Sequence, residues 1–236
     1  NITRKNIWDL SPYSSARDEF TGKASIYLDA NENPYDNGLN RYPDPYQFQL
    51  KAKIADIKNV KIQQIIIGNG SDEIIDLLYR AFCEPQVDEV ISLSPTYGMY
   101  KVYANINNVE IKDCWLNNSF EIVEEDLLGM INDKTKMIWF CSPNNPTGNS
   151  LNPESIKKVL QNFKGLVIVD EAYIDFSASE SWVNYLDFYP NLFVMQTLSK
   201  AWGLAGLRLG MGFASPQIIS LLNKIKPPYN INLLSQ

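Results

Sequence analysis

Short apolar runs alternate along this chain with stretches whose apolar residues recur at three- and four-residue spacing. Runs at 65–67, 89–94, 109–115, 137–141, 166–169, 193–195 and 210–214 read as strands, the wholly apolar ones as strands buried on both faces. Between them, 45–58 carries Phe48, Leu50, Ile54 and Ile57 at helical spacing, and 74–82, 124–131, 153–163 and 216–225 read as further helices, the last ended by Pro227 and Pro228. About seven strands alternating with helices, without repeats or low-complexity tracts, predict an α/β fold: one sheet covered by helices on both faces. Residues 1–40 are polar and broken, with only SIYLDA strand-like, and read as an arm.

Residues able to do chemistry fall where the predicted strands stop. The segment NLFVMQTLSKAWGLAGLRLGMG, 191–212, ends an apolar strand and delivers Lys200 into a glycine-rich turn. Ligands of parallel α/β sheets gather at such ends, so the amine is either a solvated surface lysine or a nucleophile. Arg208 lies between Leu207 and Leu209. Its guanidinium cannot shed its proton and needs an anion, from a structural carboxylate or from a ligand. The strand at 65–67 runs through Gly68-Asn69-Gly70-Ser71-Asp72-Glu73 into a helix, a ready anion site, although a helix cap by Ser71 alone would also explain the pattern. A dinucleotide fingerprint fails because its third glycine would fall at Glu73, and there is no P-loop. The strand at 166–169 ends on Asp170, which is costly to bury without a cation; otherwise Asp170 is an exposed acid at a helix start.

Composition narrows the chemistry. The 236 residues are 45% hydrophobic and 20% charged, the range of a folded globular chain. No histidine occurs, which removes Ser-His-Asp and Cys-His catalysis and imidazole metal sites and leaves lysine as the proton carrier to consider. A net charge of -6 offers no general reason to bind nucleic acid or an anionic membrane. Cys83, Cys114 and Cys141 are odd in number and lie in apolar contexts, reading as reduced core thiols. With no signal-like apolar core at the N-terminus and no 18-residue apolar run, the cytoplasm is the expected compartment and a small metabolite the expected partner.

Taken together, TLSKAWGLAGLRLG, SPNNPTG at 142–148 and VDEAY at 169–173 resemble the signatures of fold-type I pyridoxal phosphate (PLP) aminotransferases, and PYSSAR, LDANENP and LNRYPDP look like N-terminal segments of that family's class II branch. The resemblance implies a mostly parallel seven-stranded sheet and PLP as cofactor. It implies Lys200 as the amine joined to the cofactor aldehyde and as proton carrier. Asp170 would face the pyridine nitrogen, Tyr97 would stack on the ring, and Asn145 and Tyr173 would donate to the phenolic oxygen. Gly70, Ser71, Asp72, Ser199 and Arg208 would hold the phosphate, with Tyr42 reaching over from the second subunit of a homodimer. Tyr13 and Asn31 would border the substrate. The implied division is an arm at 1–40, a large PLP-binding domain at 41–226 and, at 227–236, the start of a C-terminal small domain that is expected to be missing. The implied reaction moves an amino group between L-glutamate and imidazole-acetol phosphate. An aromatic aminotransferase, a phospho-amino-acid decarboxylase and a PLP-binding module without turnover remain as alternatives.

Overall fold

A computed structural model describes residues 2–12, 20, 22 and 24–236. Seven strands form a single sheet: β1 (Ile65–Asn69), β2 (Glu89–Ser94), β3 (Glu110–Trp115), β4 (Thr135–Cys141), β5 (Leu166–Asp170), β6 (Leu192–Thr197) and β7 (Leu209–Ala214). Their order across the sheet is β1-β7-β6-β5-β4-β2-β3. Pairs β2/β3, β2/β4, β4/β5 and β5/β6 are parallel, and β7 runs antiparallel to both β1 and β6.

Alternation along the strands sends side chains into two cores. On one face, Ile65, Ile67, Val167, Val169 and Val194 meet α2 (Phe48–Lys58), α5 (Glu124–Met130) and α6 (Pro153–Asn162). On the other, Ile66, Leu166, Ile168, Phe193 and Met195 meet α3 (Ser71–Phe82), α4 (Met99–Ile106) and α7 (Pro216–Ile225). A short helix α1 (Lys5–Trp8) precedes them. Burial on both faces is why the strands read as unbroken apolar runs. All three cysteines are buried free thiols. Among the described residues no helix is long and apolar enough to cross a membrane.

Two local expectations are corrected. SIYLDA forms no strand: Ile26 and Leu28 are largely exposed, so their alternation has no sheet to pair with. In α2, Ile54 faces the core as expected and Ala55 joins it, but Phe48 and Ile57 are exposed and Lys51 is buried. The core-facing stripe is narrower than the apolar spacing suggested.

Candidate active site

Strand direction brings the predicted residues to one edge. The carboxyl ends of β2, β4, β5 and β6 lie there, followed by Tyr97, Asn145, Asp170 itself and Lys200. Because β7 is reversed, it is its amino end that reaches this edge, which places Arg208 beside the turn after β1. The result is a cleft lined by Gly70, Ser71, Asp72, Tyr97, Asn145, Asp170, Tyr173, Ser199, Lys200 and Arg208, all anticipated from sequence, together with Cys141, Ala172 and Thr197.

At the cleft floor Asp170 is 4% exposed. Tyr100 Oη donates to its Oδ2 at 2.6 Å and Ala172 N–H to its Oδ1 at 3.1 Å. No ammonium or guanidinium forms an ion pair with it among the described residues. Burial pushes the carboxyl up to about 6, while those two donors and the Lys200 charge pull it back. An exposed acid at a helix start is thus excluded. Tyr100, which the sequence reading did not single out, is itself wedged by its stack on Trp139, with ring centroids 4.6 Å apart. Its only sequence signal is a position one helical turn beyond Tyr97. Tyr97 meets Tyr100 edge-on at 5.6 Å and donates to Asp72 Oδ1 at 3.2 Å. Burial, then the Asp72 charge, raise its phenol to about 12, so it stays protonated. Lys200 Nζ stands 5.5 Å from the centre of the Tyr173 ring.

The far end of the cleft is an anion cradle. Gly70, at φ +75°, caps α3, and Ser71 is the first helical residue with no side-chain cap bond, so capping by Ser71 does not explain the motif. A Cβ on Gly70 would stand 2.6 Å from Arg208 Nη2. Arg208 has no carboxylate partner among the described residues; its Nη1 makes a long 3.4 Å hydrogen bond to Ala205 O. The guanidinium, the glycine turn and the amide end of α3 therefore converge without a protein anion between them. These residues fit a phosphorylated pyridine aldehyde: an amine for the aldehyde, a buried acid for the ring nitrogen, and a cradle for a phosphate. Tyr42 and Asn31 do not join this cleft. They line a second cavity, where Tyr42 stacks on Tyr229 at 4.5 Å. Tyr13 lies outside the described residues.

The chain belongs to the class I and II aminotransferases, whose family description, "Aminotransferase class I and II", matches residues 24–236. Within that family it falls with the histidinol-phosphate aminotransferases. It is 60% identical to the Flavobacterium johnsoniae histidinol-phosphate aminotransferase over 238 residues, covering all of this chain and 68% of the relative. The solved histidinol-phosphate aminotransferase of Clostridium acetobutylicum is 28% identical, with a TM-score of 0.75 over 84% of this chain and 59% of its own. The Sinorhizobium meliloti histidinol-phosphate aminotransferase, solved in complex with pyridoxal-5'-phosphate, shares the fold at a TM-score of 0.76 and 22% identity, over 83% of this chain and 54% of its own.

Proposed function

We propose that this chain carries a site that converts L-histidinol phosphate and 2-oxoglutarate into imidazole-acetol phosphate and L-glutamate, a step of histidine biosynthesis. The relatives' activity supports the substrates. The observation that carries the site is the buried Asp170 facing the same cleft as Lys200, with Arg208 at its other end, neither acid nor guanidinium in an ion pair among the described residues.

PLP, when bound, supplies an aldehyde and an electron-withdrawing ring that stabilises negative charge on the substrate carbon. Lys200 Nζ would carry the proton between the substrate Cα and the cofactor's C4' carbon, a role no histidine is present to take. The Asp170 carboxylate, fixed by Tyr100, would hold positive charge at the ring nitrogen. Asn145 and Tyr173 would donate hydrogen bonds to the ring's oxygen, and Tyr97 would cover its face. Arg208, Ser199 and the Gly70–Asp72 turn bind phosphate. The arm at 1–40, the domain at 41–226 and the segment 227–236 are part of the same reading, as is a homodimer in which Tyr42 serves the partner's site. Supporting the dimer, Tyr42 lies away from its own Lys200, and Ile26, Leu28, Phe48 and Ile57 are left exposed.

An absorbance spectrum of the protein mixed with PLP tests this. Wild type should show the visible band of a lysine-bound cofactor and lose it on adding L-glutamate. Lys200→Ala should show neither and lose about 10³-fold or more in turnover. Rates with histidinol phosphate above those with phenylalanine or threonine phosphate would fix the substrate; the reverse order would remove it. Equal mixtures of Tyr42→Ala and Lys200→Ala chains should recover activity if the site is shared.

A further inference from the structure

Glu171 is a buried carboxyl beside the site that none of the steps above uses. Adjacent residues of a strand point to opposite faces, so Asp170 turns towards Tyr100 and the cleft while Glu171 turns towards the core holding Trp182. It is 1% exposed. Its Oε2 accepts from Ser181 Oγ at 2.6 Å and from Gln196 Nε2 at 2.8 Å, and its Oε1 accepts from Trp182 N–H at 2.6 Å. Its own N–H donates to Met195 O at 2.7 Å, extending the β5/β6 ladder by one rung. Gln196 belongs to β6, and four residues later the chain reaches Lys200.

The side chain therefore ties the end of the strand bearing Asp170, two residues before Tyr173, to the strand that delivers Lys200. No cation pairs with it among the described residues, and burial pushes its carboxyl up to about 7. For the fold alone this is a poor choice: an apolar side chain of similar volume would avoid the desolvation cost. The bond to Gln196 does what apolar packing cannot, since it joins the two strand ends directionally, while the bonds from Ser181 and Trp182 fix the carboxyl that receives it.

We propose that Glu171 is a positioning residue of the transamination site, setting the Asp170 carboxylate relative to the Lys200 amine through Gln196. The proposal rests on the transaminase reading of the cleft. Its test compares PLP-loaded full chains of wild type, Glu171→Leu, Glu171→Gln and Gln196→Met. The Leu and Met variants should lower kcat about tenfold, with KM for L-glutamate within about twofold. They should also shift the pH midpoint of the visible PLP band by about half a unit and weaken PLP binding about threefold. In Glu171→Gln the amide oxygen keeps the Trp182 N–H, and its NH2 can donate to Gln196 Oε1, a buried oxygen without a partner, once the Gln196 amide flips; most of each quantity should then be recovered. Should Glu171→Leu fail to fold, Gln196→Met decides. Unchanged midpoint and PLP affinity in folded Gln196→Met would overturn the proposal. So would losses that follow melting temperature alone and are not recovered by Gln. A wild type that binds PLP without turnover sinks the transaminase reading instead, while the midpoints and affinities still report on Glu171.

Discussion

Asp170 shows how much a single residue depends on what surrounds it. With its carboxyl raised to about 6 in the fold from an ordinary 3.8, its contribution to stability is fully present below the lower value and lost as pH rises through the upper one. At neutral pH that amounts to about 3 kcal/mol of destabilisation in the absence of ligand. Asp170→Asn should therefore make the ligand-free chain more stable in urea at pH 7.5, yet reduce kcat by about 10³-fold. Tyr100→Phe removes the 2.6 Å donor with little change of shape. The acid should then titrate still higher, which a pH profile of the PLP band would show, and kcat should fall about tenfold. Lys200, Asp170 and Arg208 were legible in the sequence because each is a charge at the end of an apolar run. Tyr100 was not, because an aromatic residue entering a helix looks the same whether it fills a core or orients an acid.

Among the elements, the turn between β1 and α3 and the first residues of β7 act as one unit. Gly70→Ala would force a side chain into φ +75° and against Arg208, so PLP affinity should drop about tenfold, measured by fluorescence titration. Gly210→Ala is harsher: its Cβ would stand 2.3 Å from Ser71 N and 2.4 Å from Gly70 C, backbone atoms that cannot step aside. A loss of about 2 kcal/mol or more in urea unfolding is expected. Strands and helices came out within a few residues of their periodic runs, since unbroken apolar stretches leave little choice of where a buried strand lies. SIYLDA misled because local alternation cannot say whether a neighbouring strand exists. Nor could it say that β7 runs backwards, which is what sets Arg208 beside Gly70.

At the scale of the molecule, buried charges of both signs shape stability. Asp170 and Glu171 are raised acids, so stability should fall as pH climbs from about 4 to about 7. Lys51 and Lys226 are bases that burial lowers to about 8, each further lowered or offset by neighbouring charges. Unfolded chains hold more protons than folded ones between there and 10.5, so stability should rise again over that range. Urea midpoints of the ligand-free chain at pH 4.5, 7.5 and 9.5 should be lowest at the middle value. Lys226 Nζ also joins Pro45 O and Asn230 Oδ1 across the seam between the segment before α2 and the segment after α7, a contact between residues 181 positions apart that no local pattern foretells. What the sequence determined by itself was the alternation of strands and helices and the residue types waiting at the strand ends, because burial and turn chemistry act over a few neighbouring positions. Strand order and direction, the neutralising surroundings of Asp170 and the tie through Glu171 were decided only by the tertiary structure, since each depends on which distant segments share a strand edge or exclude water from it.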